Sequence, residues 1–333
     1  MDLDAYVSEH GAEWNRLRYL LGRPKRALSP QEVDELIMLY RRAATHLSVV
    51  RSRSGDPTLV AWLSRLVLQA RAAVSPSAGF SLDAVRRFFL VTFPVTVYRM
   101  RAWCLGAGLG FVAVGTVFGV IVSNDLSIAV SLVGETRVRE YVEHDFEAYY
   151  SANPPPSFAS LVWLNNTLVS ALCLAGGVLL APTLLVLWIN AMGLGVAGGM
   201  MVGHGRADVF FGLITVHGLL ELTCIFIAAG AGLRVGWSWI APGRYLTRVQ
   251  ALAQAGRQAT VVALGLGVAL LVSGLVEAFV TPAPIPIPIR LVIGAAVWLA
   301  FLTYVVVLGR AGVHRGETGD VAAYEREALA PTA

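Results

Sequence analysis

Six apolar segments, each about as long as a lipid bilayer is thick, constrain this sequence more than any other feature. A helix that crosses a membrane needs about 20 consecutive, mostly apolar residues. Segments of about that length lie at 103–123, 160–181, 183–202, 209–233, 259–280 and 288–308. Only 14% of the residues are charged, against about 25% in soluble domains. The sequence therefore predicts an all-α, polytopic membrane helix bundle of about six transmembrane helices with an N-terminal cytoplasmic helical head.

The number of spans rests on the stretch around Pro182, which separates the second and third segments without a charged loop. If these two segments were one broken span, Arg244, Arg248 and Arg257 would lie outside, against the positive-inside rule. With six spans, 22 of the 26 basic residues lie on the cytoplasmic side. The four outer ones are Arg137, Arg139, Arg206 and Arg290. The pattern predicts a multi-pass protein of the plasma membrane with both termini cytoplasmic.

The charge and hydropathy pattern divides the chain into three parts. Residues 1–101 hold 15 of the basic residues and predict a cytoplasmic or interfacial helical head. Residues 102–310 predict the transmembrane bundle, with an outer helical loop at 124–159. Residues 311–333 predict a polar cytoplasmic tail. Basic residues beside membrane spans indicate topology or contact with anionic lipid, so we expect no nucleic-acid partner.

The head carries local helix signals. Its first helix is amphipathic. The residues near its apolar face are Tyr6, Trp14, Leu17, Leu20 and Leu21. Ser29 and Glu32 have the spacing of a capping box, with Pro30 at the first helical position. Phe93 follows in an aromatic and arginine-rich stretch that predicts a segment along the membrane surface.

The outer loop is the one sizeable element on that side of the membrane. It predicts an acidic helix whose aromatic surface comes from Tyr141, Phe146, Tyr149 and Tyr150. Two interpretations stay open at this point. The loop is either an interfacial helix that meets a partner or a helical lid packed over the spans.

Polar residues within the apolar segments form the candidate site. His217 and Glu221 lie four residues apart, about one helical turn, so their side chains leave the same face. A carboxylate near the bilayer centre costs several kcal/mol unless it is paired, protonated or turned into protein. The other candidates for this intramembrane polar cluster are Glu277, Asn190, Asn165 and Asn166. Such a cluster either titrates or binds substrate, or it holds the bundle together through hydrogen bonds.

The sequence predicts no metal site, no cofactor and no catalytic residue. His217 has no second histidine four residues away, so the HExxH zinc motif is missing. The three cysteines, Cys104, Cys173 and Cys224, lie within predicted spans and lack metal-ligand spacing. A serine or cysteine nucleophile with a nearby histidine is not visible either.

Glycine is the second signal within the spans. Small residues let helices approach closely, either within one chain or between copies. Gly106 with Gly110, and Gly195 with Gly199, have GxxxG spacing. The candidates for helix packing are Gly193, Gly195, Gly199, Gly218, Gly230 and Gly232. Packing inside the bundle and formation of a homo-oligomer both stay open.

Taken together, these pieces resemble the stage II sporulation protein M family of bacterial and archaeal integral membrane proteins. The most specific piece is the HGxxE stretch from His217 to Glu221, followed by the small-residue run Ala228–Gly232. The supporting pieces are the basic head with Trp14 and Arg42, Asn165-Asn166, the stretch from Asn190 to Gly195, and Glu277-Ala278-Phe279. The resemblance covers most of the chain.

The resemblance implies a polytopic membrane protein with no recognised catalytic activity. The founding member acts in engulfment in endospore formers, where it anchors a complex with peptidoglycan-degrading partners. The present sequence departs from that member by its long arginine-rich head. Longer-headed relatives tend to occur beside an AAA+ ATPase and other membrane proteins, which implies a role in cell-envelope assembly.

Two functional hypotheses follow from these observations. The first is a non-enzymatic scaffold that binds the lipid bilayer and other membrane or cell-envelope proteins. The alternative is a transporter, lipid-handling protein or channel that uses His217, Glu221 and Glu277 as a coupling site. A third class, the intramembrane enzymes, lacks a recognisable catalytic constellation in this sequence.

Overall fold

The computed structural model describes residues 3–24, 27–53, 56–74, 82–150 and 154–320. The chain forms two compact units, residues 1–82 and residues 83–333. All regular elements in the described ranges are helices, which confirms the all-α prediction. The division into units falls before the predicted head boundary at residue 101, because the segment after residue 82 packs with the bundle.

The first unit is a three-helix head. Its helices are α1 (Leu3–Leu21), α2 (Pro30–Arg53) and α3 (Pro57–Val74). They enclose an apolar core that includes Trp14, Leu17, Leu20, Leu36, Leu39, Leu63 and Leu66. The core contains the predicted face of the first helix, with Tyr6 and Leu21 packed at its edge.

The predicted capping box opens α2. The Ser29 backbone N–H donates to Glu32 Oε2 at 2.8 Å, and the Glu32 N–H donates to Ser29 Oγ at 3.2 Å. The hydrogen bond from Ser29 lowers the pKa of Glu32, and the Arg23 guanidinium, which pairs with Glu32, lowers it further. The box therefore satisfies two backbone donors at the start of α2.

The second unit begins with a short segment that leads into the membrane bundle. This segment comprises α4 (Leu82–Arg87), a π-helical stretch (Phe88–Thr92) and α5 (Phe93–Arg99). We expected Phe93 at the membrane surface, but its side chain is buried against Tyr304, with ring centroids 6.3 Å apart. The cause is Gly265, where a Cβ atom would lie 2.0 Å from the Phe93 ring. The glycine leaves the space that the ring fills.

Six helices long and apolar enough to cross a membrane follow, which confirms the predicted spans. They are α6 (Arg101–Asn124), then α10 (Pro155–Gly176, continued by a 3-10 turn at Gly177–Leu179), α11 (Ala181–Gly203), α12 (Ala207–Ile240), α13 (Arg248–Phe279) and α14 (Ile287–His314). The short elements between α6 and α10 are α7 (Ser127–Val133), α8 (Glu135–Glu140), a π-helical stretch (Tyr141–Asp145) and α9 (Phe146–Ala148).

The two longest helices exceed the thickness of a bilayer. α12 has 34 residues and α13 has 32. At about 1.5 Å per residue each is roughly 50 Å long, against a hydrocarbon core of about 30 Å. Compared with the predicted spans, both helices gain their extra length around the loop that joins them. They therefore continue beyond the hydrocarbon at that end.

A tight break at Leu180 separates the second and third spans. Leu180 has φ 62°, a conformation that is costly for a residue with a branched side chain. Three residues later, Thr183 Oγ1 donates to the Cys173 carbonyl at 2.7 Å and ties α11 back to α10. The two segments are thus separate spans that pack on each other.

The residues after α14 return to the segment that precedes α6. The Glu317 carboxylate accepts from Arg87 at 3.0 Å, and the Glu317 carbonyl accepts from Arg99 at 2.7 Å. Asp320 accepts two hydrogen bonds from Arg257, at 2.8 and 2.9 Å. The approach to the first span and the exit from the last span therefore lie at the same end of the bundle. Of the predicted tail, residues 321–333 lie outside the described residues.

Candidate functional site

The candidate site lies where α12 and α13 pack together. His217 and Glu221 are one turn apart on α12, and Ser273 and Glu277 are one turn apart on α13. His217 Nε2 lies 3.7 Å from Glu277 Oε1. Ser273 Oγ donates to the His217 carbonyl at 3.2 Å. These contacts bring the predicted pair, His217 and Glu221, next to Glu277, which follows Glu221 by 56 residues in the chain.

A third helix, α10, contributes Asn166. Its side chain is buried and interacts with the Glu221 carboxyl group. α10 packs against both α12 and α13, so the site lies among three helices. The neighbouring Asn165, also a predicted member, is exposed on the other side of α10 and does not join the cluster.

Asn190 does not join the cluster either. Its side-chain amide donates to the Val186 carbonyl of its own helix, α11, at 2.8 Å. The bond satisfies a polar group within a span without a partner from another helix. Of the six predicted polar residues, the structure therefore brings together His217, Glu221, Glu277 and Asn166.

The loop between α6 and α10 packs over this site. Tyr150 is buried, with its ring centroid 5.8 Å from that of His217. Phe146 stacks on Phe210 of α12 at 5.5 Å. Arg206 holds the loop in place through its bonds to the Val142 carbonyl and the Glu147 carboxylate. These contacts are those of a lid packed over the spans.

The two carboxylates affect the pKa values of the phenol groups in the lid. Tyr149 is about half exposed; its partial burial raises its pKa to about 12, and the Glu277 and Glu221 carboxylates act in the same direction. Burial followed by the Glu277 charge also raises the pKa of Tyr150. Both phenols therefore stay neutral at physiological pH, and both lie within electrostatic reach of the two carboxylates.

The acidic groups of the site are incompletely paired. His217 is 6% exposed and Glu277 is 3% exposed. Glu221 is partly exposed as a residue, but its Oε2 atom is buried. Within the described part of the chain, neither Glu221 Oε2 nor Glu277 Oε2 has a hydrogen-bond partner. One ligand atom from each of His217, Glu221 and Glu277 lies within 4.8 Å of the other two.

The predicted packing glycines fall into two groups. A Cβ atom on Gly232 would lie 2.1 Å from the Cys173 carbonyl oxygen, and one on Gly230 would lie 2.6 Å from the Cys104 nitrogen. Gly195 and Gly199 likewise meet the backbone of α6. By contrast, a Cβ atom on Gly193 would meet nothing within 4 Å, and one on Gly218 would meet only Ile214, at 3.8 Å.

The packing partners of Gly195 and Gly199 were not predicted from the sequence. Gly195 and Gly199 pack on Gly115 and Gly119, a second GxxxG pair in α6. The predicted pair Gly106 and Gly110 would meet nothing within 4 Å of either added Cβ atom. The glycine spacing was a usable signal, but it did not tell which pair lies at the crossing.

Sequence reasoning also missed three polar neighbours of the cluster. Ser273 and Thr281 lie four residues before and after Glu277, so helical spacing gave a signal for both. Thr281 Oγ1 lies 3.3 Å from His217 Nδ1. Tyr150 gave no such signal, because its contact with His217 depends on how the loop folds back.

A separate polar cavity lies toward the loop between α12 and α13. It measures about 270 Å³, and its lining includes Trp103, Arg234, Trp237 and Gln258. Arg234 Nη1 and Gln258 Oε1 are buried there without a hydrogen-bond partner among the residues that the structure describes. Arg234 is one of the 22 basic residues that the sequence pattern predicts on the cytoplasmic side.

Comparison with known families identifies the membrane unit. The family model for stage II sporulation protein M matches residues 108–282, a little over half of the chain. The chain belongs to this family. The matched range contains His217, Glu221, Glu277 and Asn166, so the polar cluster lies within the part that defines membership in the stage II sporulation protein M family.

The head matches a different family model. Residues 4–75 match a domain of unknown function, DUF8413. This range corresponds to α1–α3, the three helices of the first compact unit. No curated protein and no solved structure matches the chain.

Proposed function

We propose that this multi-pass membrane protein is a non-enzymatic scaffold that anchors cell-envelope proteins, with both of its termini in the cytoplasm. The observation that supports the proposal best is the enclosure of the polar cluster. His217 and Glu277 are almost fully buried, and Tyr150 of the outer loop packs against the His217 ring. A transport pathway needs a polar site that opens to water on one side at a time. An enclosed cluster suits a fixed helix arrangement better.

Two further features suit a scaffold. The outer loop is fastened to the bundle by Arg206, so it presents a fixed surface that includes the exposed Tyr149. The head has a core of its own and presents exposed Tyr19 and Leu68. These surfaces lie on separate parts of the chain, so each is available to a different partner.

A crosslinking experiment in native membranes tests the scaffold. A photoreactive phenylalanine analogue replaces Tyr19, Leu68 or Tyr149, and the adducts are identified by mass spectrometry. Leu109 on α6, which is 72% exposed along an apolar helix, is the matched lipid-facing control. We expect the same envelope proteins in repeated experiments from a head or loop position and none from Leu109. Recovery of no protein from all three positions would contradict the scaffold.

A flux experiment tests the transport alternative. The full chain is reconstituted in liposomes that contain a pH-sensitive dye, and proton movement is followed between pH 6 and pH 8 under an applied gradient. We expect the rate of empty liposomes, with no difference between wild type and Glu221→Gln. A wild-type flux that Glu221→Gln abolishes would replace the scaffold by a proton-coupled transporter.

A further inference from the structure

We propose that His217, Glu221 and Glu277 bind one divalent transition-metal ion within the membrane bundle. The proposal does not depend on the scaffold function. It rests on three ligand atoms from two helices that converge within 4.8 Å. It also rests on two buried carboxylate oxygens, one on each glutamate, that lack a hydrogen-bond partner within the described ranges.

Charge balance favours a bound cation. Two carboxylates this close together, away from water, need positive charge beside them, because like charges in a low-dielectric site repel strongly. Among the ion pairs of the described residues, the one that involves either glutamate is His217 with Glu277. One divalent cation bound by two carboxylates and a neutral imidazole gives a site with no net charge. Such a site is the least costly form inside a membrane.

The environment of His217 also suits a metal ligand. Thr281 Oγ1 lies 3.3 Å from Nδ1, a position from which it can accept the proton of the Nδ1–H tautomer of the neutral ring. The lone pair of Nε2 then points toward Glu277 Oε1, 3.7 Å away, beyond hydrogen-bond distance. A metal-bound histidine usually has this arrangement, with its second nitrogen held by an outer partner that fixes the tautomer. A cation between Nε2 and Oε1 removes the repulsion between the two lone pairs.

The distances are compatible with one ion. Two ligands of a tetrahedral ion, each about 2.0 Å from the metal, lie roughly 3.3 Å apart. The 3.7 Å between Nε2 and Oε1 is close to that value. The Glu221 ligand atom lies within 4.8 Å of the other two, and the three rotatable bonds of its side chain allow it to come nearer. Asn166, which already interacts with Glu221, is placed to orient that carboxylate from outside.

The donor set indicates the class of ion. One imidazole nitrogen and two carboxylates suit zinc, manganese or ferrous iron, whereas copper(I) prefers sulfur ligands and calcium prefers oxygen ligands alone. Three protein ligands also leave one position of a tetrahedral ion unfilled by these residues. The HExxH motif does not describe this trio, because α12 supplies one histidine and one glutamate and α13 supplies the second glutamate.

Metal analysis of the full chain tests the proposal. The protein is purified in detergent with an affinity tag that contains no histidine and without chelators, and its metal content is measured by plasma mass spectrometry. After removal of metal by a chelator, Zn²⁺, Mn²⁺ and Co²⁺ are titrated, with Co²⁺ absorption and Mn²⁺ paramagnetic resonance as readouts. We expect saturation near one ion per chain. Glu277→Gln should weaken binding by at least about 100-fold, because loss of an outer partner alone costs about 10- to 100-fold.

Two further variants keep the test decisive. Thr281→Val retains all three ligands and should weaken binding by about 10- to 100-fold, even if Glu277→Gln fails to fold. His46→Gln in the head should leave metal binding unchanged. The proposal is overturned if the folded wild-type protein binds none of the three ions saturably. It is also overturned if Glu277→Gln and Thr281→Val, both folded, bind like wild type. Protons would then neutralise the carboxylates instead.

Discussion

The head and the bundle each bring a histidine–glutamate trio together, and the surroundings of the two trios differ. In the head the trio is His10, Glu13 and His46, and its ligand atoms also lie within 4.8 Å of one another. Trp14 Nε1 donates to His46 Nδ1 at 3.1 Å, and Arg42 donates to Glu13 Oε1 at 2.7 Å. Arg42 therefore supplies the positive charge that compensates Glu13. Nδ1 of His46 already accepts a hydrogen bond from Trp14.

Among the described residues, no arginine pairs with a carboxylate of the trio in the bundle. This trio contains two carboxylates instead of one, and its one ion-pair contact within the described residues is the 3.7 Å approach of His217 to Glu277. Glu13 also has one buried oxygen without a hydrogen bond, but the arginine on its other oxygen balances its charge. Similar residue types therefore predict different chemistry, and the source of the compensating charge distinguishes them.

The two regions also build their cores differently. The head buries large side chains such as Leu17, Leu20 and Leu63. The bundle brings backbones into contact at glycines, for example Gly232 against the Cys173 carbonyl. In water, apolar area drives packing, whereas lipid tails are as apolar as leucine, so close approach of helices matters more in the membrane.

Leu17→Ala should give the largest stability change and confine it to the head. The side chain is fully buried, and deletion of such a leucine costs about 3 kcal/mol. Hydrogen exchange followed by mass spectrometry should show loss of protection in α1–α3. Tyr19→Ala, at an exposed position on the same helix, is the control and should stay within about 0.5 kcal/mol of wild type. Equal losses for the two variants would contradict the core assignment.

Gly232→Ala should destabilise the bundle by about 2 kcal/mol, because the added methyl group meets backbone that cannot move freely. Thermal unfolding in detergent measures the change. Gly193→Ala is the matched control, since its methyl group meets nothing within 4 Å and alanine favours the helix by up to about 1 kcal/mol. If both variants unfold at the wild-type temperature, the glycine crossings do not hold the bundle together.

The head should lose stability as the pH falls below about 6.5. Burial, followed by the charge of His10, lowers the pKa of His46. The unfolded chain then binds this proton more readily than the folded chain, so stability is fully present above the unfolded pKa and decreases below it. Exchange protection of α1 and α2, corrected for intrinsic rates, should rise from pH 5.5 to pH 7.5. His46→Gln should flatten this rise, and an unchanged slope would show that other groups cause it.

Arg42→Gln should have the smallest effect, at most about 1 kcal/mol, because the guanidinium that pairs with Glu13 is half exposed. The effect should shrink in high salt, where exposed ion pairs are screened. Denaturant unfolding of the head, followed through exchange in α1 and α2, measures it. A loss above 2 kcal/mol that salt does not change would mean that the head trio depends on Arg42 as a buried charge.

The sequence was sufficient for the fold and for part of the site. Lengths of apolar segments and the arginine distribution predicted the six spans, and the capping box at Ser29 predicted the start of α2. The i to i+4 spacing placed His217 and Glu221 on one face. It could not decide between Asn165 and Asn166, because residues next to each other face different directions and a span is apolar all round.

Contacts that depend on tertiary packing could not be predicted from local sequence patterns. The burial of Phe93 depends on space left by Gly265 on another helix. The cover over His217 depends on a loop whose position is set by Arg206. The head trio joins α1 to α2 through residues 33 positions apart, from Glu13 to His46, and no local pattern relates them.

Thiol labelling, which reports whether water reaches the polar cluster, tests the enclosed site most directly. Ser273, which is 1% exposed and contacts His217, is replaced by cysteine in a chain whose natural cysteines are alanine. Tyr149→Cys on the loop is the accessible control. In intact membranes, a small charged thiol reagent should label Tyr149→Cys fully and leave Ser273→Cys unlabelled. Labelling of Ser273→Cys at a comparable rate would mean that water reaches the cluster, and it would contradict the enclosed site.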